Sequence, residues 1–230
     1  MPKKIGLLFD KDGTLFEFQK TWSAWTAELI RELSNDTLSS MELAEALGFD
    51  LQRLAFHRDS PIIAGTPDEL LDVLARAFPH MERKALLARI LDSAMDAPLA
   101  EATPLAPLLD RLRAEGCILG VATNDGEVPA RAHLKRTGIL EQFAFIAGYD
   151  SGHGAKPDPG MMMAFMEQNA LSPQNAAMIG DSTHDLRAGR AAGMATIGVL
   201  TGTANRFDLE PFADVVLPSI AQLPDWLGIV

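Results

Sequence analysis

The sequence predicts an α/β protein with a doubly wound parallel sheet and an inserted α-helical domain. Residues 5–9 form a short apolar run that stops at a charged turn, which is typical of a strand buried on both faces of a parallel sheet. Residues 97–230 then alternate short apolar runs with helical patterns. Residues 17–96 show helical patterns and no convincing strand. We therefore predict a core domain of residues 1–16 and 97–230, and a helical domain of residues 17–96.

Helical patterns fill the inserted segment. Apolar residues recur at intervals of three and four from Trp22 to Leu33, so they share one helical face. Ser39 with Glu42, and the segment Thr66-Pro67-Asp68-Glu69, are capping-box patterns that mark helix starts. A further helical pattern covers residues 81–95. The insert is therefore predicted to be a set of packed helices.

The second part of the chain shows the βαβ rhythm of a doubly wound sheet. Each apolar run is followed by a helical pattern that ends near a glycine or a turn. The predicted strands are 117–122, 143–146, 176–179 and 195–200, and the predicted helices are 104–115, one that closes at Gly138, 157–170 and 184–192.

Polar side chains follow three of the predicted strands. In open α/β sheets, ligands bind beyond the carboxyl ends of the strands, near the point where the strand order reverses. We therefore expect these polar side chains to meet at one edge of the sheet. They are Asp10 and Asp12 after the first strand, Thr123 and Asn124 after the second, and Asp181 and Asp185 after the fourth.

Gathered carboxylates repel one another, and burial makes each charge costlier, so such a cluster is tolerated only with a cation. Oxygen ligands of this kind suit Mg²⁺. Lys156, which precedes Pro157 in a loop, supplies a point charge that could hold a phosphate oxygen. Lys11 lies between the first two aspartates, and we expect it to point away from both, as a solvated or ion-paired lysine.

The composition excludes several classes of partner. A net charge of -11, from 31 acidic and 20 basic residues, repels nucleic-acid backbones. No stretch approaches the roughly 20 apolar residues of a membrane span. Cys117 is the single cysteine, so no internal disulfide is possible. We expect a cytoplasmic protein without a nucleic-acid or membrane partner, and the sequence does not indicate its oligomeric state.

The order of the motifs resembles the haloacid dehalogenase-like superfamily, over nearly the whole chain. The motifs are Asp10-Lys11-Asp12-Gly13-Thr14-Leu15, then Thr123, then Lys156-Pro157, then Gly180-Asp181 to Asp185. A helical cap between the first and second motifs is also a feature of that family, as in members similar to phosphoglycolate phosphatase. The insert at residues 17–96 is therefore interpreted as a cap domain.

The resemblance implies an Mg²⁺-dependent phosphohydrolase that cleaves a small phosphomonoester, such as 2-phosphoglycolate or a sugar phosphate, through an aspartyl phosphate. It implies that Asp10 is the nucleophile and Asp12 the general acid and base. Thr123 and Lys156 complete the implied catalytic set. The implied metal ligands are Asp10, Asp12, Asp181 and Asp185, and the implied phosphate or substrate contacts are Gly13, Thr123, Asn124, Lys156 and Arg58.

Three alternatives stay open at this stage. A sugar phosphomutase of the same superfamily would keep every motif. A 2-haloacid dehalogenase would share the nucleophile but would not need an acid at position 12, so Asp12 argues against it. A regulatory protein in which phosphorylated Asp10 is a signal is disfavoured by Asp12 and by the helical insert.

Overall fold

A six-stranded parallel sheet with helices on both faces forms the core of the protein. The computed structural model describes residues 5–34 and 39–229. In chain order the elements are β1 (Ile5–Phe9), α1 (Phe18–Leu33), α2 (Ser40–Ala46), β2 (Phe49–Asp50), β3 (Ala55–Phe56), α3 (Pro67–Ala77), α4 (Arg83–Met95), α5 (Leu105–Ala114), β4 (Cys117–Ala122), α6 (Glu127–Arg136), β5 (Phe145–Ala147), α7 (Gly160–Gln168), β6 (Ala176–Gly180), α8 (Thr183–Ala191), β7 (Ala195–Val199), α9 (Arg206–Leu209), β8 (Val215–Leu217) and α10 (Leu223–Leu227).

The strand order in the large sheet is β5-β4-β1-β6-β7-β8, and all neighbours are parallel. The order therefore reverses between β1 and β6, because the chain runs outward from β1 on one side and from β6 on the other. This is the doubly wound sheet that the sequence predicts, and it confirms the predicted fold class. The reversal directs the ends of β1, β4 and β6 toward one crevice, where such sheets bind their ligands.

Three short strands escaped the sequence prediction. The core contains a sixth strand, β8, which has three residues with one of them buried. The insert contains an antiparallel pair, β2 and β3, of two residues each, so the expectation of a strand-free insert is wrong at this hairpin. Segments of two or three residues are too short to show an apolar period.

The insert packs around an apolar cluster of its own. The buried side chains of this cluster belong to residues between Phe18 and Ala97. The buried side chains of the sheet belong to other clusters. Both predicted capping boxes are present, with Ser39 accepting from the Glu42 amide and Thr66 from the Glu69 amide. The division into a core and a cap domain stays a prediction, and the separate cluster supports it. In the described part of the chain, every helix is too short or too polar to cross a membrane.

Candidate active site

Three buried carboxylates meet at the carboxyl edge of the sheet. Asp10 follows β1, and its amide donates to the Ile179 carbonyl of β6 at 2.8 Å, which fixes the turn beside Asp181. The side chain of Ser182 caps α8 by accepting from the Asp185 amide, so Asp185 lies on the first turn of that helix. The exposed fractions of Asp10, Asp181 and Asp185 are 6%, 5% and 1%, and their carboxylate oxygens lie within 4.8 Å of one another.

Lys156 is the ammonium group inside this cluster. Its Nζ lies 2.6 Å from Oδ1 of Asp10 and 2.6 Å from Oδ1 of Asp185. It also donates to the Ala122 carbonyl at 2.8 Å. Lys156 therefore holds the nucleophile candidate in place and neutralises part of the charge around it.

Asn124 positions Lys156 from the end of β4. The Lys156 amide donates to Asn124 Oδ1 at 2.8 Å, and Asn124 Nδ2 donates to the Lys156 carbonyl at 3.0 Å. The same Nδ2 donates to the Ala64 carbonyl of the insert at 2.9 Å. Because both ends of its amide are engaged, the side chain of Asn124 orients Lys156 and contacts the insert.

The pKa values of the cluster show an excess of negative charge. The pKa of Asp10 is raised to about 7, because burial and the neighbouring carboxylates of Asp185 and Asp12 outweigh the lowering effect of Lys156. Burial, then Asp10 and Asp185, raise the pKa of Asp181 well above its ordinary value. Burial lowers the pKa of Lys156, but the attraction of Asp10 and Asp185 outweighs burial and raises it. One ammonium does not balance three carboxylates.

This donor set fits a hard divalent cation. Three carboxylates from Asp10, Asp181 and Asp185 converge within ligating distance of one point, and all their donor atoms are oxygen. A cation there would remove the repulsion that raises the pKa values of Asp10 and Asp181. The carboxylate of Asp12 is not in this group, because it pairs with Lys11.

Lys11 lies in a buried polar network and not at the surface. Its Nζ is 2.6 Å from Oδ2 of Asp12 and 3.2 Å from Oδ2 of Asp125, and its side chain is fully buried. It also lies 3.1 Å from Nδ1 of His133. The expectation that Lys11 points away from Asp12 is therefore wrong. The amides of Leu15 and Phe16 both donate to the Lys11 carbonyl, so the chain turns back here and does not alternate as a strand does.

Two glycines make room for Asp181. Gly13 has φ +91°, and a Cβ at this position would lie 2.4 Å from the Asp181 carboxyl group. At Gly202, which sequence reasoning missed, a Cβ would lie 1.6 Å from Oδ2 of Asp181. Thr201 Oγ1 donates to the Gly13 carbonyl at 2.6 Å and joins the two loops. The sequence does indicate the place of this loop, because the loop follows the predicted strand 195–200 and so lies at the same sheet edge.

Thr123 is buried at the end of β4 and lines the cavity above the carboxylates. Its Oγ1 accepts from the Asp125 amide at 3.1 Å, which leaves the hydroxyl hydrogen free to donate to a bound group. Asp125 is a further residue that sequence reasoning missed. It lies beside a motif residue and is buried against Lys11.

The cavity has a volume of about 90 Å³ and lies between the sheet edge and the insert. We call its core side the floor and its insert side the roof. The floor is Asp10, Asp12, Thr123, Lys156, Asp181 and Asp185. The roof is Trp22, Trp25, Ile63, Leu70, Ile90 and Leu91.

Arg58 and His184 differ from expectation, because Arg58 does not line this cavity and His184 does. Arg58 is not among its lining residues; its guanidinium is 2.5 Å from Oδ2 of Asp208, and its side chain is 72% exposed. The structure therefore gives no support to a substrate contact by Arg58. His184, which the sequence argument did not select, lines the cavity on the same helical turn as Asp185.

The sequence of the chain matches the family of haloacid dehalogenase-like hydrolases over residues 7–199. The chain belongs to this family. Its relatives include a phosphoglycolate phosphatase of Rhodospirillum rubrum, 32% identical over 99% of the chain and 92% of the relative. A probable phosphatase IndB of Dickeya dadantii is 29% identical over 85% of the chain and 81% of the relative.

Solved structures of the family share the fold. A predicted phosphoglycolate phosphatase of Haemophilus somnus superposes with a TM-score of 0.71 at 18% identity, covering 99% of each chain. A phosphatase of Thermococcus onnurineus gives 0.69 at 24% identity, covering 97% of this chain and 98% of that one. The predictions of the superfamily and of a phosphatase enzyme are thereby confirmed.

Proposed function

We propose that the protein is an Mg²⁺-dependent hydrolase of small phosphomonoesters that works through an aspartyl phosphate on Asp10. The observation that carries the proposal is the placement of the Asp10 carboxylate. It lies on the floor of a cavity, 2.6 Å from the Lys156 ammonium and near Asp12. A nucleophile, a cation and a second acid at one point are what stepwise phosphoryl transfer requires.

In the first half-reaction, a carboxylate oxygen of Asp10 forms a bond to phosphorus while the bond from phosphorus to the ester oxygen breaks. Asp12 gives its proton to the departing alkoxide, so the first product is a neutral alcohol. Lys156 and the Thr123 hydroxyl donate to the oxygens of the phosphoryl group and stabilise its charge. Lys11 holds the carboxyl group of Asp12 from the other side through Oδ2.

In the second half-reaction, Asp12 takes a proton from a water molecule whose oxygen then bonds to phosphorus. The bond between phosphorus and Asp10 breaks, which releases inorganic phosphate and restores the carboxylate. Asp12 has then regained the proton that it gave away. The donors that hold the phosphoryl oxygens serve both halves, because the charge develops at the same place.

Asp10, Asp181 and Asp185 would hold Mg²⁺, together with the backbone carbonyl of Asp12. When bound, the ion neutralises charge on the phosphoryl oxygens. The geometry of Gly13 and Gly202 against Asp181 supports this role, because both loops leave that carboxylate close to the protein backbone and fixed.

We also propose a small-molecule substrate, a cytoplasmic location and a cap role for the insert. The net charge of -11 supports a small-molecule substrate and argues against nucleic-acid partners. A single cysteine, buried Cys117, supports a reducing compartment such as the cytoplasm. The cap role of the insert is supported by its position over the floor.

The substitution Asp10→Asn tests the proposed function. It keeps the side-chain volume but removes the nucleophile, so we expect phosphate release from 4-nitrophenyl phosphate with Mg²⁺ to fall by about a thousandfold or more. Circular dichroism of the variant should match the wild type. Chelation of divalent cations should stop the wild-type enzyme, and readdition of Mg²⁺ should restore it. Undiminished turnover by the variant would defeat the assignment of Asp10.

A further inference from the structure

The roof is apolar. The indole rings of Trp22 and Trp25 pack edge to face, with ring centroids 5.1 Å apart and an angle of 85° between the planes. The N–H of Trp25 donates to Ser93 Oγ at 3.1 Å. This indole N–H is therefore already engaged, and Trp25 presents only carbon to the cavity.

The hydroxyl of Thr66, at the margin of the roof, is also engaged. Thr66 Oγ1 accepts from the Glu69 amide at 3.3 Å as the cap of α3. The loop before it contributes Ile62, Ile63 and Ala64, whose side chains carry no hydrogen-bonding group. A substrate hydroxyl against Trp25 or the side chains of this loop would lose its hydration without gaining a partner from them.

None of the six roof residues is basic. Among the described lining residues, the basic side chains are Lys156 and His184. Lys156 pairs with Asp10 and Asp185, and His184 lies on the helical turn that carries Asp185. A carboxylate on the leaving group would therefore lie against hydrocarbon, on the side of the cavity away from Lys156. Transfer of a charged group into such surroundings is costly.

We infer that the preferred substrates are phosphomonoesters of compact apolar alcohols, such as benzyl or branched alkyl alcohols, and not of hydroxy acids or sugars. The inference rests on the proposed function, because the phosphate must occupy the floor for the alcohol to face the roof. The cavity volume of about 90 Å³ holds several water molecules, so a compact alcohol suits it. The substrate class thus differs from the one in the name of the Rhodospirillum relative.

The test compares esters whose leaving groups are all alkoxides. Phosphate release with Mg²⁺ is measured for benzyl phosphate, isobutyl phosphate, glycerol 1-phosphate and 2-phosphoglycolate. We expect kcat/KM for the two apolar esters to exceed that for 2-phosphoglycolate and glycerol 1-phosphate by about tenfold or more. A higher kcat/KM for either polar ester overturns the inference and leaves the proposed function standing. No release from any ester, nor from 4-nitrophenyl phosphate, overturns both.

Variants at Leu91 test the roof itself. Leu91→Lys places an ammonium in the roof, so we expect kcat/KM for benzyl phosphate to fall about tenfold or more and the preference to shift toward 2-phosphoglycolate. Leu91→Met keeps the roof apolar and should keep the wild-type preference. Met163→Lys adds the same charge at a 56% exposed position outside the cavity and should change neither value. An unchanged preference in folded Leu91→Lys overturns the inference.

Discussion

The floor and the roof enclose the same cavity, but the floor consists of charged and polar side chains and the roof of apolar ones. The floor joins buried carboxylates and an ammonium that come from three separate segments around the sheet edge. The roof consists of aromatic and aliphatic side chains from the insert. The floor stores electrostatic repulsion that a cation and a phosphoryl group relieve, while the roof gains from excluding water. Reaction and selection of the substrate are thus divided between the two sides.

The largest effect on the floor is expected from Lys156→Met, which removes the ammonium between Asp10 and Asp185. Loss of one partner from a buried ion pair leaves an uncompensated charge, which costs about 3 to 5 kcal/mol. We expect at least that loss of unfolding free energy in urea without metal, and about a thousandfold loss of turnover. Exposed Lys135→Met is the matched control and should change the unfolding free energy by less than about 0.5 kcal/mol. Equal stability of the two variants would refute the pairing.

A second effect on the floor concerns Asp12, which should separate the two half-reactions. In Asp12→Asn, steady-state turnover should fall by about a hundredfold or more, because no base activates the water. With 4-nitrophenyl phosphate, whose phenolate leaves without a proton, stopped-flow measurement should still show one equivalent released in a burst. Steady turnover at the wild-type rate would contradict the proposed role of Asp12.

The negative charge of the floor should also affect the unfolding free energy of the metal-free protein. The folded pKa of Asp10 is raised to about 7 from 3.8, so between these values the folded carboxyl keeps a proton that the unfolded one has lost. The contribution of Asp10 to stability is therefore present at low pH and is lost as pH rises from about 4 to about 7, by up to about 4 kcal/mol. Denaturant unfolding of the wild type should show this fall relative to Asp10→Asn. Parallel pH curves for the two proteins would exclude it.

The smallest effect is expected at the margin of the roof. Thr66→Ala removes the side-chain cap of α3 and should lower the unfolding free energy by about 1 kcal/mol. Thr66→Ser keeps the hydroxyl and should retain most of that stability. Thermal unfolding of the three proteins measures the difference. A loss of more than about 3 kcal/mol would show that the residue does more than cap the helix.

Features that depend on residues close together in the chain could be predicted from the sequence. The positions of Asp10, Thr123 and Asp181 follow from a general rule, because apolar runs that end in polar residues place them at one sheet edge. The capping boxes at Thr66 and Ser39 also depend on local spacing alone. Such features are carried by neighbours along the chain, so one sequence is enough to find them.

Other features depend on contacts between distant segments. The network of Lys11 with Asp125 and His133 joins residues that are more than a hundred positions apart. Gly202 is required by its approach to Asp181, which no local pattern shows. The composition of the roof could be read from the sequence, but the side of each helix that faces the cavity could not. Arg58 shows the same limit, since its partner Asp208 lies 150 residues away.

The hydrogen bond from the side-chain amide of Asn124 to the insert also bears on how small molecules enter and leave the cavity. Ala64 adopts φ +56°, in the left-handed region that side chains disfavour, and its carbonyl accepts from Asn124. One such hydrogen bond contributes about 1 kcal/mol, and the strained backbone at Ala64 offsets part of it. The net free energy of the contact between Asn124 and the loop of residues 61–65 is therefore close to the thermal energy. Opening the cavity at this loop would break that hydrogen bond and leave those within the helices of the insert intact.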